Sequence, residues 1–520
     1  MGITMYSKTH SATLEGINAQ IIEVELDSGG GMPGFNIVGL ASKSISESKD
    51  RVRAALESSN YPLDAGKILV NLIPAHLPKE GSHFDLAIAA TLMVNHGYIN
   101  VAPQLLASCC FFGELSLNGK LKQIIGLLPL ALQAQEAKIQ HIVVPYDNRN
   151  EASLIKLASK SNSEIYAIKN LFELQSLIEA IDRSNNEILE QYQVPVLDRT
   201  KLKNKTKSNR DLSEVIGQEQ AKRGLEIAAA GGHHVLMIGP PGCGKSMLAN
   251  RFIDLLPALS FDQALELTKI YSISGMSNGD LMLEPPLRAP HHSASNAALV
   301  GGGSKVKPGE VSLAHNGVLF LDELTEFNRH SIEQLRQILE DKSININRIR
   351  QSLRFPASFT LIAACNPCPC GYLGDTVKPC SCSPKQISNY IGRLSGPLLD
   401  RIDMHIELCR LDYDQIKLLN RRASGSTLVK NSSLTDSCKT KIIQARQFAI
   451  KESKGLVLEQ TELEFMDKAI LNLDLSARSH QKILRLARTI ANLDASEFMR
   501  IQHLAEALSF RSIDWERYRK

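Results

Sequence analysis

Residues 239–246 read Gly-Pro-Pro-Gly-Cys-Gly-Lys-Ser, and no other stretch constrains the chain as tightly. The apolar run HVLMI precedes this octapeptide and SMLANRFIDLL follows it, a strand, a glycine turn and a helix in succession. In that setting the glycines let backbone N–H groups turn inward around phosphate oxygens at the positive end of the helix. Lys245 is expected to reach the β- and γ-phosphates and Ser246 to hold Mg²⁺. The nucleotide-binding candidates are therefore Gly239, Pro240, Pro241, Gly242, Cys243, Gly244, Lys245 and Ser246. GVLFLDE (317–323) and FTLIAACN (359–366) add two apolar strands, and strands of this kind alternating with helices indicate a parallel sheet.

Both strands end in groups suited to phosphoryl chemistry. Asp322 is placed to ligate Mg²⁺, directly or through water, and Glu323 to act as general base on the attacking water. Asn366 ends the third strand, where its carboxamide can position the same water. Arg401, in GPLLDRIDMHIE (396–407), is expected to stabilise the charge building on the γ-phosphate of a neighbouring subunit. Arg478, in LSARSHQKIL, opens a helical C-terminal region and completes the set. ATP hydrolysis is the chemistry that this ordered set implies.

The rest of the chain bounds the setting. Its 520 residues suffice for three or four domains, with 43% hydrophobic and 22% charged residues as in ordinary globular proteins. Lys plus Arg number 59 against 55 acids, a net charge of +4 that excludes a polybasic protein but allows a local basic patch. One Trp and 5% aromatics argue against a carbohydrate binder or an aromatic-rich RNA-binding sheet. No run of 18 apolar residues exists, MGITMYSKTH contains no signal-peptide core, and Tyr6 breaks the myristoylation pattern. A cytoplasmic protein without membrane partners is expected.

Residues 1–182 mix strand-like runs (19–26, 35–40, 67–75) with a helix over 42–59 whose buried face is Ile45, Val52 and Leu56. Residues 183–210 are polar and read as a linker; its end (199–210) carries six basic residues and no acid, as a solvated connection or a phosphate-backbone contact would. A nucleotide-binding core over 211–410 follows, then a connection and helices over 411–520. Ile483, Leu486, Ala487 and Ile490 share one helical face there, and Ile501, Leu504, Ala505 and Leu508 another.

RAPHHSAS (288–295), PGEVSLAHNGVLFLDEL (308–324), NPCPCGYLGD (366–375) and SGPLLDRID (395–403) together resemble the ComM/YifB family of magnesium-chelatase-like AAA+ ATPases. GFNIVGL, ESKDRVRAAL, VNLIPAHLPKEGSHFDLAIA and GELSLNGKLK extend the resemblance to essentially the whole chain. It implies an N-terminal α+β Lon-protease-like domain, an AAA+ core of the helix-2-insert type and a C-terminal helical lid. It further implies a homo-hexamer that branch-migrates DNA during natural transformation, beside a recombinase and other recombination proteins. By motif position Lys245, Asp322, Glu323, Asn366, Arg401 and Arg478 take the Walker A, Walker B, sensor 1, arginine-finger and sensor 2 roles; whether Arg478 serves its own nucleotide or a neighbour's stays open. A magnesium-chelatase motor subunit and a protein-remodelling ATPase are the alternative readings.

A Lon-type peptidase needs a serine nucleophile and a lysine base. Here His83 stands at the nucleophile's position, with Ser82 one place early, and Leu130 at the lysine's, so the domain is expected to be a scaffold without peptidase activity. DNA contact is expected from the basic hairpin LEDKSININRIRQSLRFP (339–356), through Arg348 and Arg350, with Lys305 and Lys307 as second candidates. Ten cysteines in a protein without an export signal suggest metal or free thiols rather than disulfides. Cys368, Cys370, Cys380 and Cys382 offer four thiolates, enough for a structural, tetrahedral Zn²⁺. Gly29–Gly34 matches a dinucleotide fingerprint only formally, because FNIVGL is a strand where a helix is required. The His pairs 233–234 and 291–292 are read as structural, since no carboxylate or cysteine stands at ligand spacing.

Overall fold

A computed structural model describes residues 5–29, 32–158, 162–197, 210–303, 306–348, 351–375, 377–412, 415, 433–451, 456–473 and 475–511. The chain forms two compact units, one of Met1–Lys203 with Phe261–Met282 and Ile349–Arg354, the other of the remaining residues.

The first unit is built on β1 (Met5–Glu15), β2 (Asn18–Gly29), β3 (Gly34–Val38), β4 (Lys67–Ile73) and β5 (Cys109–Phe111). A short ladder of β6 (Glu114–Leu115) with β7 (Leu121–Lys122) precedes two further strands, β8 (His141–Pro145) and β9 (Glu164–Ile168). Seven of these strands make one mixed sheet in the order β3-β4-β2-β1-β5-β8-β9. β1 and β2 are antiparallel and join through a two-residue turn, with Leu14 opposite Ala19 and Glu15 opposite Asn18; Gly16, at φ +63°, supplies the left-handed step. The helix Asp85–Asn95 is buried along its whole length and anchors the core. Its first residue, Asp85, receives a two-pronged bond from Arg51 at 2.9 and 3.0 Å; burial pushes the carboxyl's pKa up and the guanidinium offsets that.

The expected helix over 42–59 divides at Glu47 into Lys43–Ser46 and Ser48–Ser58, with Ile45, Val52 and Leu56 fully buried as the spacing predicts. Part of the stretch read as linker is instead helical. Asn185 caps Asn186–Tyr192 through the Ile188 N–H, and Leu189 and Tyr192 pack on the first unit's core. Residues 198–209 of that stretch lie outside the described residues.

In the second unit β10 (Val235–Ile238), β11 (Leu287–Arg288), β14 (Val318–Leu321), β17 (Thr360–Cys365) and β18 (Met404–Glu407) form a parallel sheet, ordered β11-β14-β17-β10-β18. A small ladder of β12 (Gly301–Gly302) with β13 (Lys307–Pro308) falls between β11 and β14 in sequence, and the strands β15 (Ser343–Arg348) and β16 (Gln351–Pro356) fall between β14 and β17. The period of two sends Leu236, Ile238, Leu319 and Leu321 into one core and Val235, Met237, Val318 and Phe320 into the other. Burial on both faces is why these strands read as continuous apolar runs. Each such side chain contributes roughly 1.5–3 kcal/mol by leaving water.

The C-terminal helices pack into the second of these cores. Ile483, Leu486, Ala487 and Ile490 are fully buried on the helix Ala477–Leu493. On the helix Ile501–Ser509 the expected face is rotated: Ile501 and Ala505 are exposed, while His503, Leu504 and Ala507 are buried. Met499 before the helix and Phe510 after it are buried anchors, and they set its rotation against the i, i+4 spacing that the sequence suggested. No helix among the described residues is long and apolar enough to cross a membrane.

Candidate active site at the strand ends of the parallel sheet

The chain leaves β10 at Ile238 and enters the helix Lys245–Leu255 through the glycine loop. Gly242 and Gly244 take φ +79° and +96°, and a Cβ on Gly239 would meet the Leu408 carbonyl oxygen at 2.6 Å, so each glycine answers a backbone requirement. Lys245 Nζ donates to the Gly239 carbonyl at 2.7 Å, the Pro240 carbonyl at 3.0 Å and Asn366 Oδ1 at 3.0 Å. The loop lysine and the Asn366 carboxamide, 121 positions apart in sequence, thus meet above neighbouring strands β10 and β17.

Ser246 Oγ lies 2.6 Å from Asp322 Oδ2, which brings the two expected Mg²⁺ ligands together as hard oxygen donors. Asp322 Oδ1 accepts the Glu323 N–H at 3.0 Å, and Glu323 turns at φ +51° just past β14. Its carboxylate lies 3.3 Å from His292 Nδ1, and the His291 and His292 rings stack at 4.0 Å. In the sequence no carboxylate stands at ligand spacing from the 291–292 pair; the fold supplies Glu323, 31 residues beyond His292. His233 and His234 occupy structural positions. The His233 ring bonds Thr489 Oγ1 at 2.8 Å, and His234 Nδ1 accepts the Leu361 N–H at 3.1 Å, burial holding that imidazole neutral with its pKa pushed down to about 4.

Arg401 and Arg478 converge on Glu340, a residue that carries no sequence signal. Arg401 is largely buried; it pairs with Glu340 and donates to the Pro397 carbonyl at 2.8 Å. Arg478 Nη2 lies 3.4 Å from the same carboxylate. The Arg401 hydrogen bond, and then the charge of both arginines, holds the Glu340 carboxyl below its usual range.

The sulfurs of Cys368, Cys370, Cys380 and Cys382 all lie within 4.8 Å of one another. Cys368 stands 3.4 Å from Cys370 and 3.6 Å from Cys380, and Cys370 stands 3.5 Å from Cys380. Disulfide sulfurs would be about 2.05 Å apart. Four thiolates about 2.3 Å from one Zn²⁺ sit roughly 3.8 Å apart in a tetrahedron, so this set fits a shared ion. Backbone N–H groups approach two of the sulfurs, Cys370 N–H to Cys382 Sγ at 3.3 Å and Cys382 N–H to Cys380 Sγ at 3.4 Å, as thiolate ligands require.

Of the DNA candidates, Lys307 opens β13 with an exposed side chain and Arg348 ends β15. Lys305 and Arg350 lie outside the described residues. In the first unit His83 is buried, its ring 2.7 Å from the Ala12 carbonyl and its pKa lowered to about 4 by burial, Ser82 bonds Glu114, and Leu130 is core.

A glycine loop after the inner strand β10 of a parallel sheet, with Asn366 at the end of the neighbouring β17 and the acid pair just past β14 one strand further on, is consistent with an AAA+ ATPase fold of the magnesium-chelatase type. Comparison with known proteins agrees. The family described as magnesium chelatase, subunit ChlI, matches residues 211–416, subunit ChlI of Mg-chelatase matches 22–148, and the ChlI C-terminal family matches 420–511. Competence protein ComM of Haemophilus influenzae is 37% identical over 518 residues, covering 97% of each chain. Protein YifB of Escherichia coli is 39% identical over 529 residues, covering 98% of this chain and 97% of its own. The chain belongs to the ComM/YifB family of magnesium-chelatase-like proteins, and the family implies ATPase activity with ATP and Mg²⁺.

Proposed function

We propose that the protein is an ATP-driven, homo-hexameric DNA motor that branch-migrates recombination intermediates during natural transformation, beside a recombinase. The observation that carries the motor reading is the convergence of Lys245 with Asn366 and of Ser246 with Asp322 on one side of the parallel sheet. The 97% coverage of a competence protein points the motor toward DNA.

Lys245 exchanges its loop carbonyls for the β- and γ-phosphate oxygens, where its charge offsets theirs. Ser246 and Asp322 hold Mg²⁺, which supplies charge neutralisation across the phosphates. Glu323 takes the proton of the attacking water and Asn366 orients that water in line with the γ-phosphate. Arg401 completes the site of the neighbouring subunit, once its guanidinium leaves Glu340 for the forming charge. Residues 1–182 act as a Lon-like scaffold without peptidase activity, supported by the burial of His83 and Leu130 where a nucleophile and a base would need access. Residues 411–520 act as the helical lid, Arg348, Arg350, Lys305 and Lys307 grip DNA phosphates, and the four cysteines hold Zn²⁺.

A second reading, a magnesium-chelatase motor subunit that drives metal insertion with partner proteins, is favoured by the ChlI description of all three matching families. Strand exchange on a synthetic four-way junction decides between them. The full-length protein should convert the junction to duplex products with ATP, not with a non-hydrolysable analogue, and the Lys245→Ala variant should not. Intact ATPase with no junction conversion would overturn the DNA motor and leave the chelatase-type or protein-remodelling reading.

A further inference from the structure

We infer that the four-cysteine metal site is a structural part of the ATP site: with Zn²⁺ bound, the cysteine loop holds the phosphate loop and Asn366 in register, and loss of the metal weakens nucleotide binding. This rests on the zinc reading of the cysteines given above.

The coupling runs through Gly371. It stands at φ +83°, and a Cβ there would meet Pro241 Cδ at 2.6 Å and Cγ at 2.8 Å. The backbone of the cysteine loop is therefore seated directly on the ring of a phosphate-loop residue. A proline ring has no rotamer with which to retreat, and its movement would pass into Gly242 and Gly244, whose left-handed conformations shape the cradle. The same hypothetical Cβ lies 3.8 Å from Asn366 Cγ, so Gly371 also backs the carboxamide that accepts from Lys245.

Sequence proximity tightens the link. Asn366 is two residues before Cys368, whose side chain is fully buried and whose carbonyl accepts the Gly371 N–H at 2.9 Å. Cys368 thus opens, and Cys370 lies within, the turn that ends at Gly371 and begins two residues after Asn366 in sequence. The remaining two ligands arrive ten and twelve positions beyond Cys370, over 371–382, where helix and strand are absent among the described residues. A tetrahedral thiolate site can replace the missing hydrogen-bonded ladder as the constraint on such a loop.

The test compares nucleotide affinity with metal content in the full-length protein, using a fluorescent ATP analogue for the first and elemental analysis for the second. Wild type should carry about one zinc per chain. Chelation should weaken analogue binding by on the order of tenfold or more, and Zn²⁺ should restore it. The Cys380→Ser variant should lose zinc and affinity together. Gly371→Ala separates the two claims: it leaves all four thiolates in place, so it should keep zinc yet lose affinity that added metal does not restore. Metal-free wild-type protein with intact nucleotide binding would remove the zinc reading and this inference with it. Zinc present, but affinity unchanged by chelation and by Gly371→Ala, would overturn the coupling and leave the zinc site standing as a separate structural element.

Discussion

Replacing Arg401 by alanine should lower the ATP turnover of the assembled protein by on the order of 10³-fold or more, the range over which arginine fingers act on γ-phosphate charge. ATP affinity should hold, because Arg401 contacts Glu340 and the Pro397 carbonyl rather than the glycine loop of its own chain. Mixing supplies the sharper readout. Arg401→Ala chains keep Lys245, and Lys245→Ala chains keep Arg401, so a mixed ring contains sites with both groups intact. Equal parts of the two inactive variants should recover about a quarter of wild-type turnover if chains mix at random in a closed ring. No recovery on mixing, with ring assembly verified, would assign Arg401 to its own subunit's site or to a structural role.

Glu323→Gln should separate binding from chemistry. The substitution keeps the side chain's shape and its hydrogen bonding but removes the base, so hydrolysis should fall by on the order of 10²–10⁴-fold in single-turnover measurements. Lys245, Ser246 and Asp322 are untouched, and ATP should bind at least as tightly as in wild type. The approach of His292 to within 3.3 Å fixes the expected position of the carboxylate. Loss of ATP affinity would instead make Glu323 part of the phosphate grip, and unimpaired hydrolysis would place the base elsewhere.

The parallel sheet and its nucleotide site were legible in the sequence because their requirements are local. A phosphate loop needs glycines at fixed spacing after a buried strand, and fully apolar strands ending in acids or amides are visible without knowing their neighbours. β1 was missed for the opposite reason. Its inward face carries Ser7, Thr9, Ser11 and Thr13, all buried, so the hydrophobic alternation that announces a strand is absent. Hydrogen bonds do part of that work instead, with Thr9 Oγ1 reaching the Leu106 and Cys109 carbonyls at 3.1 Å each.

Long-range partners were equally hidden. Glu340 sits on the solvent side of an ordinary amphipathic helix, and nothing in its surroundings marks it as the counter-charge of Arg401 and Arg478. The seat of Gly371 on Pro241 joins residues 130 positions apart and shows only as one more glycine in a cysteine-rich loop. The grouping of the four cysteines was legible, since their closeness in sequence keeps the four thiols within reach of one another whatever the fold around them.

The most direct measurement of the DNA-motor claim is the steady-state ATPase rate without DNA and with single strands, duplex or a four-way junction, with Lys245→Ala and Glu323→Gln as controls. Stimulation by DNA that vanishes in both variants and weakens steeply with added salt, as phosphate contacts require, is the predicted result. An ATPase that turns over at the same rate with every DNA and at every salt concentration would contradict it.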